Sequence, residues 1–215
     1  MVAKGIYERR FIPDLRFRKE MWRVLCRSWF QKYVASGHVV LEIGAGYCEF
    51  VNQIQAARKI AVDINPDVKD YADSDVEVMV SRASVMEALA NGSVDVAFAS
   101  NLFEHLERKE ILDTVQEVRR VLKAGGKFMI LQPNIRFCAR DYWMFFDHIT
   151  PIDDRALVEV LEISGYRILE LIPRFLPYTT KSRYPRSPLL VRAYLWLRPA
   201  WALLGQQSFI VGTKV

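Results

Sequence analysis

Short hydrophobic runs rich in β-branched residues alternate with stretches of helical periodicity from Gly37 onward. This alternation is typical of an α/β domain in which helices flank a parallel sheet. Seven strands are predicted, at about 38–43, 59–64, 76–80, 94–99, 127–132, 166–172 and 207–214. Helices are predicted near 48–57, 107–123 and 153–164. The second helix should end at Ala124-Gly125-Gly126, because glycine commonly caps a helix.

A different pattern precedes the sheet. Pro13-Asp14 can start a helix in which apolar residues recur every fourth position and basic residues form a second stripe. The apolar stripe is Met21, Leu25, Trp29 and Tyr33, and the basic stripe is Arg16, Lys19, Arg23 and Arg27. We therefore predict a basic amphipathic helical cap at 1–36 and the α/β domain at 37–215. The cap either docks on the domain or offers a functional surface.

The composition, 51% hydrophobic and 26% charged in 215 residues, fits one globular domain. The three cysteines are far apart and odd in number, which argues against a disulfide framework and gives no C-x-x-C metal spacing. We expect no bound metal. The amino terminus has charges but no apolar run behind them, so no secretory signal is recognised. A cytoplasmic location is expected, with contact to a membrane surface as an addition.

The positive charge is concentrated in two segments. Residues 1–32 contain nine Lys or Arg against three acids, and residues 174–204 contain six and no acid. The second segment falls between the sixth and seventh predicted strands, which defines a basic lid insertion at about 174–206. It includes a predicted helix with Ser187 as its cap and Pro188 at its first position. Its apolar residues and arginines suit an anionic membrane surface or a phosphate-bearing acceptor, or they pack as a hydrophobic cap.

The turn after the first strand carries two glycines, Gly44 and Gly46, around Ala45. Glycines there let the backbone turn sharply and approach a ligand. A dinucleotide fingerprint needs a third glycine where Glu49 stands, so NAD and FAD are disfavoured. Glu42, just before the turn, suits a ligand that has a cationic amino or sulfonium group and no phosphate. S-adenosylmethionine is such a ligand.

The second strand ends in Asp63, 21 residues after Glu42. A carboxylate at this position can accept hydrogen bonds from two ribose hydroxyls. The alternative is a solvated turn acid preceding Asn65-Pro66. Because the glycine turn accompanies it, the ribose role is preferred.

Four motifs in this order resemble the class I S-adenosylmethionine-dependent methyltransferases, particularly those with the type 11 methyltransferase domain. They are E-I-G-A-G, V-D-I-N-P, the S-V-D-V-A-F-A-S-N-L-F-E-H-L segment at 93–106 and the E-V-R-R-V-L-K-A-G-G-K segment at 117–127. The resemblance covers roughly 37–173 and the last strand. It implies a Rossmann-like seven-stranded sheet, mostly parallel with an antiparallel last strand, helices on both faces, and S-adenosylmethionine as cofactor.

The resemblance also implies site residues. Glu42, Gly44 and Gly46 would border the methionine part, Asp63 the ribose, and the segment around Ser84 the adenine. We assign Ala45, Ile64 and Asn101 to the same cofactor site. The chain departs from many relatives at Cys48, where they have a glycine, and at Ala83-Ser84, where they have an acid. Cys48 is expected to be buried and structural, since no activating base is recognised near it.

Methyl transfer to a hydroxyl is helped by a base of pKa near 7, and the histidines are His38, His105 and His148. His38, before the first strand, is expected to be structural. His105 follows the fourth strand at the ligand edge and is either a base or part of the pocket wall. His148 lies in a D-H-x-x-P segment that resembles methyltransferases of surface-glycan pathways. It is the preferred base, and Asp147 would orient it or a substrate hydroxyl.

The sequence thus predicts a methyltransferase acting on oxygen of a small-molecule, sugar or lipid-linked glycan acceptor. An RNA methyltransferase is the second hypothesis, because basic patches with aromatic residues bind single strands. Against it, neither an appended RNA-binding motif nor a Pro-Pro-Tyr segment is recognised. The third hypothesis is a protein that binds S-adenosylmethionine without transferring its methyl group.

Overall fold

The computed structural model describes residues 15–178 and 187–215. Their strands are β1 (Val39–Ile43), β2 (Arg58–Asp63), β3 (Val76–Val80), β4 (Val94–Ser100), β5 (Leu122–Pro133), β6 (Tyr166–Leu176) and β7 (Gln207–Lys214). Their helices are α1 (Leu15–Ser28), α2 (Val68–Tyr71), α3 (Arg108–Val121), α4 (Ile135–Tyr142), α5 (Asp154–Ile163), α6 (Pro188–Trp196) and α7 (Arg198–Leu204). Short 3₁₀ helices lie at Phe30–Tyr33 and Phe103–His105. The predicted helix start at Pro13-Asp14 and the basic residues between 179 and 186 lie outside the described residues.

All seven strands are present and form one sheet in the order β3-β2-β1-β4-β5-β7-β6. The strands run parallel except β7, which is antiparallel to both β5 and β6. The predicted fold class is therefore confirmed. Ile43 at the end of β1 pairs with Val62 in β2 and Ala99 in β4, so these strands end at one level. This common carboxyl edge is where open α/β sheets bind ligands.

Alternate residues of the central strands face two different hydrophobic cores. In β1, Leu41 packs in a core with residues of α3 and α5, whereas Val40 packs in a core with residues of α1 and α6. The period of two follows from the pleat of a strand, which points successive side chains to opposite faces. The predicted helices on both faces are confirmed.

The N-terminal residues are integrated into the second core. α1 buries Trp22, Leu25 and Cys26, and the following 3₁₀ helix buries Phe30 completely. The ring of Phe30 lies 5.3–6.3 Å from five other aromatic rings, those of Trp22, Phe50, Phe98, Phe175 and Phe209. The described part of the predicted cap therefore shares a core with the sheet.

The insertion between β6 and β7 packs against the same aromatic cluster. α6 begins at Pro188 with Ser187 at its cap position, as predicted. The Trp201 ring of α7 lies 5.2 Å from the ring of Trp29 and 5.1 Å from that of Phe175. Helices from the two basic segments thus lie on one face of the sheet.

The predicted helix at 48–57 is wrong, because residues 48–53 form hydrogen-bonded turns and residues 54–57 are irregular. Cys48 has a φ of 55°, in the left-handed region, where a right-handed helix cannot start. The amide of Val51 donates to the Glu42 carboxylate at 2.9 Å rather than to a carbonyl of a helix. The side chain of Glu42 therefore competes with helix formation.

The predicted glycine cap of the following long helix is also wrong. α3 ends at Val121 and β5 begins at the next residue, Leu122, and both side chains are fully buried. The chain therefore passes from the helix into the strand at two buried residues, without a loop between them. A Cβ at Gly126 would lie only 2.9 Å from the carbonyl oxygen of Lys123, so this glycine permits a close backbone approach.

None of the described helices is both long and apolar enough to cross a membrane.

We predict that Phe30→Ala lowers the free energy of unfolding by about 3–5 kcal/mol, because it opens a cavity between the N-terminal segment and the sheet. Denaturant unfolding of the full chain measures the change. Phe146→Ala is the matched control, since Phe146 is 87% exposed and its loss should change stability by about 0.5 kcal/mol or less. Equal effects of the two substitutions would show that the N-terminal segment adds little to the core.

Candidate active site

The predicted cofactor residues lie at the carboxyl edge of the sheet, each directly after a strand or at its end. Residues 44–48 follow β1, Asp63 ends β2, Ser84 follows β3, and Asn101 follows β4. The order β3-β2-β1-β4 makes these four strand ends neighbours. One elongated ligand can therefore contact all of them.

The turn after β1 has an unusual backbone conformation. Gly44 and Gly46 have φ values of 63° and 50°, and Cys48 also has a positive φ. A Cβ at Gly44 would lie 2.8 Å from the Leu102 side chain after β4. Gly44 is thus required by its backbone conformation and by close packing across the edge.

Asp63 holds this turn against the end of β2. One carboxylate oxygen accepts the amide of Gly46 at 2.8 Å, and the other accepts the amide of Asn65 at 2.8 Å. Each carboxylate oxygen has a second lone pair, which ribose hydroxyls can use. These bonds show that Asp63 organises the turn that follows it, and they leave lone pairs for the predicted ribose contact.

An apolar surface lies beside Asp63. Ile64 is 64% exposed although it directly follows a buried strand, and Ser84 is half-buried. An exposed isoleucine at a ligand edge can cover one face of a flat aromatic ligand such as adenine. Asn101 is less free, since its side-chain oxygen accepts a hydrogen bond from Gln207 of β7 at 2.9 Å.

Glu42 is buried beneath the turn. Burial raises its pKa to about 8, and the negative charges of Glu49 and Asp63 contribute in the same direction. Glu49 itself pairs with Arg18 of α1, with 2.7 Å between Nε and Oε1. A cationic ligand beside Glu42 would favour its ionised form, because opposite charges attract strongly in a poorly solvated site.

A second group of polar residues lies past the end of β4. The rings of His105 and His148 lie 4.9 Å apart at 77°, although 43 positions separate them in the chain. The Nδ1 atom of His105 lies 3.0 Å from the carbonyl oxygen of Asp147 and 3.4 Å from its carboxylate. The three predicted catalytic residues are therefore brought together.

Glu104 and Gln132 complete this group, and sequence reasoning did not assign either of them to the site. Glu104 is buried, with Oε1 3.9 Å from Nε2 of His105 and Oε2 accepting from Gln132 at 2.8 Å. Burial raises the pKa of Glu104. The acid adjoining His105 in sequence was a signal for Glu104, whereas Gln132 had no signal beyond its place at the end of a strand.

Aromatic side chains surround His148. The rings of Tyr142 and Phe145 lie 4.8 and 5.1 Å from its ring. The hydroxyl of Tyr178, at the start of the insertion, lies 3.5 Å from Nε2 of His148. Phe145 itself is half-buried, whereas the neighbouring Phe146 is exposed. His148 thus lies in a buried, aromatic-lined polar position.

Two further residues were expected to be structural. His38 precedes β1, at the opposite end from the turn, and its Nδ1 accepts the amide of Ala35 at 3.1 Å. Cys48 is a free, fully buried thiol, and burial raises its pKa to about 12. Such a thiol is a poor nucleophile.

Comparisons with known proteins show which sequences and structures this chain resembles. Residues 41–130 match the protein family described as "Methyltransferase domain". A SAM-dependent methyltransferase from Archaeoglobus fulgidus has a similar structure, with 20% identity, a TM-score of 0.70, and coverage of 95% of this chain and 99% of that chain. A SAM-dependent methyltransferase from Thermotoga maritima is 17% identical, with a TM-score of 0.68 and coverage of 98% of this chain and 99% of that chain. No curated protein sequence matched significantly.

A third structure, the geranyl diphosphate C-methyltransferase from Streptomyces coelicolor A3(2), is 12% identical with a TM-score of 0.59. It aligns with 86% of this chain and 74% of its own. The sheet order, the matching domain and the ligand edge agree: this chain has the fold of the S-adenosylmethionine-dependent methyltransferases, and residues 41–130 match a methyltransferase domain, which supports S-adenosylmethionine as its cofactor.

We predict that cofactor binding weakens as the pH falls from 8 to 6. Protonated Glu42 must release its proton before it can pair with a cationic group of S-adenosylmethionine, which gives a limiting slope of about tenfold in affinity per pH unit. Titration calorimetry in buffers of different ionisation enthalpy measures the released proton. Glu42→Gln should bind more weakly and lose the slope.

Stability provides the control for this variant. The folded pKa of Glu42 lies above its ordinary value of 4.5, so its contribution to stability is full below that value and lost as the pH rises through about 8. Without the ligand, Glu42→Gln should therefore be more stable than the wild type above pH 8. Weaker binding by a less stable variant would indicate damage to the fold, and a wild-type affinity independent of pH would contradict the role of Glu42.

Proposed function

We propose that this protein transfers the methyl group of S-adenosylmethionine to a hydroxyl oxygen of a sugar or lipid-linked glycan acceptor, with phosphate as its anionic group. The observation that carries the proposal is the group formed by His105, Asp147 and the buried His148, which lies past the carboxyl end of β4. A hydroxyl acceptor needs a base, whereas the sulfonium of the cofactor already activates the methyl group.

In this reaction the acceptor oxygen attacks the methyl carbon in line with the carbon–sulfur bond. The new carbon–oxygen bond forms as the carbon–sulfur bond breaks, and the electron pair of the broken bond remains on sulfur as a neutral thioether. His148 accepts the hydroxyl proton, and Asp147 positions His105 beside it. The aromatic rings around His148 shield the proposed acceptor position from water.

The cofactor occupies the adjoining strand ends in this proposal. Glu42 and the turn of Gly44, Ala45 and Gly46 hold the methionine part. Asp63 binds the ribose. The adenine lies between Ile64 and the segment around Ser84, and Asn101 closes the site from the end of β4.

We assign the insertion at 174–206 as a basic lid near the acceptor, with residues 1–36 as the supporting cap. Tyr178 connects the insertion to the acceptor side through its 3.5 Å approach to His148. Arg174 is not free for a phosphate, because it donates to the carbonyls of Gly205 and Leu203 at 2.9 and 3.0 Å. The exposed Arg192 is better suited to an anionic group.

The lid is also our candidate for contact with a membrane surface. Its helices expose large apolar side chains, including Trp196 at 80% and Leu203 at 78%, next to the exposed Arg192 and Arg198. The segment 174–204 contains no acid that would repel anionic lipid. Exposed apolar groups with flanking arginines favour shallow insertion into an anionic interface, where a lipid-linked acceptor would be presented.

We predict that His148→Gln lowers kcat by about 10²–10⁴-fold with little change in cofactor affinity, because it removes the proton acceptor and leaves the cofactor turn intact. Transfer of a labelled methyl group to phosphorylated and lipid-linked sugars provides the assay. His38→Gln is the matched control, because His38 lies away from the site.

A base role for His148 has a second signature. The wild-type rate should rise with pH as the base loses its proton, and the residual rate of His148→Gln should lose that dependence. If wild type binds the cofactor but methylates no hydroxyl acceptor while it methylates RNA, the acceptor proposal is wrong. Binding without transfer to any acceptor would favour a catalytically silent protein.

We predict that the protein binds vesicles containing phosphatidylglycerol and that replacing both Trp196 and Leu203 with Ser weakens this binding by about tenfold or more, since each buried apolar side chain contributes about 1.5–3 kcal/mol. Cosedimentation with vesicles measures the affinity. The control replaces Ile163 and Leu112, exposed residues of α5 and α3, with Ser. Equal losses in the two double variants, or equal binding to phosphatidylcholine alone, would contradict the lid contact.

A further inference from the structure

Glu104, His105 and His148 form a compact set of potential metal ligands. One ligand atom from each residue lies within 4.8 Å of the other two. The donor set is one carboxylate and two imidazoles, and both Glu104 and His148 are buried. Sequence spacing did not indicate a metal site, because the three residues come from two separate segments of the chain.

Neighbouring groups hold His105 and Glu104 by hydrogen bonds, as the outer partners of metal ligands usually do. A carbonyl oxygen can only accept a hydrogen bond, so Nδ1 of His105 carries its proton toward Asp147 and Nε2 keeps its lone pair. That Nε2 atom lies 3.9 Å from Oε1 of Glu104. Gln132 holds the other oxygen of Glu104 at 2.8 Å. Partners of this kind fix the tautomer of a metal-binding histidine and the direction of a metal-binding carboxylate.

The backbone fixes the two segments relative to each other. The carbonyl of Glu104 accepts the amides of Ile149 and Thr150 at 2.9 and 3.2 Å, which secures the chain just after His148. Two ligands on one zinc ion at about 2.0–2.2 Å can be up to about 4 Å apart. The 3.9 Å between Nε2 of His105 and Oε1 of Glu104 already falls within this limit, and the full set, within 4.8 Å, must close by less than about 1 Å.

We propose that Glu104, His105 and His148 bind one divalent transition-metal ion, and that this site prefers Zn²⁺. Two imidazoles and a carboxylate suit Zn²⁺, whereas Mg²⁺ prefers six oxygen ligands. A metal ion would also neutralise the buried carboxylate of Glu104. Three protein ligands leave a coordination position open, as in catalytic zinc sites.

The role of the ion in turnover rests on the proposed function, whereas its binding does not. An acceptor hydroxyl in the open position would lose its proton more readily, as metal-bound water does. The proton would leave to solvent, and the metal-bound oxygen would form the bond to the methyl carbon as the carbon–sulfur bond breaks. In this route His148 would be a ligand and not the proton acceptor, so the metal-bound route would replace direct proton transfer to His148, and the effect of chelation on the rate separates the two.

Metal binding can be measured directly on the full chain after treatment with a chelator. Calorimetric titration with Zn²⁺ should show one equivalent bound, and Co²⁺ should give visible absorption bands without thiolate charge transfer, which excludes the cysteines as ligands. Glu104→Gln and His105→Gln should weaken Zn²⁺ binding by more than about 100-fold. Gln132→Leu should weaken it by about 10–100-fold, because it removes only an orienting partner.

His38→Gln is the matched control and should bind Zn²⁺ as the wild type does, since His38 lies at the other end of β1. Circular dichroism and S-adenosylhomocysteine affinity establish that each variant is folded. Failure of the folded wild type to bind Zn²⁺, or equal losses in His38→Gln and His105→Gln, would overturn the metal site. Zn²⁺ binding without hydroxyl methylation would overturn the proposed acceptor alone, and methylation unaffected by chelation would confine the ion to a structural role, contradicting its part in turnover.

Discussion

Two carboxylates fix the turn on which the cofactor site depends. Gly44, Gly46 and Cys48 adopt left-handed backbone conformations, which are costly for a residue such as cysteine. Asp63 accepts the amide of Gly46, and Glu42 accepts an amide three residues beyond Cys48. These bonds offset the strain, and they also place two carboxyl groups under the position where a cationic ligand is expected. In the proposed binding mode, folding of the turn and ligand recognition use the same atoms.

Strand positions could be predicted because the period of two and the β-branched runs are local properties of the sequence. The errors occurred where a tertiary contact decided the conformation. Burial of Glu42 took an amide from the predicted helix at 48–57, and burial of Leu122 extended β5 to the end of α3. Neither contact has a local signal. The antiparallel direction of β7 was expected from resemblance to a family, whereas its place between β5 and β6 was not predicted, since strand order cannot be deduced from periodicity.

The candidate site likewise contains residues that have a local sequence signal and residues that are recognised only from tertiary contacts. Asp63 and the glycine turn could be found because each directly follows a strand, and strand ends meet at one edge. His105 and His148 were found by residue type, but their 4.9 Å approach was not predictable from sequence. Glu104 and Gln132 were missed because the burial of a polar side chain is recognised only once its surroundings are known. Their mutual hydrogen bond gives no pattern along the chain.

The segment after β4 joins the two halves of the site. Leu102 packs against Gly44 on the cofactor side, and two residues later Glu104 contacts the histidine pair. Asn101, with a positive φ, is bonded to Gln207, so the segment is also held by β7. Cofactor turn and histidine group therefore share one short, buried support. A methyl donor and an acceptor base must be positioned to within a fraction of an ångström, and a common support of this kind keeps their separation constant.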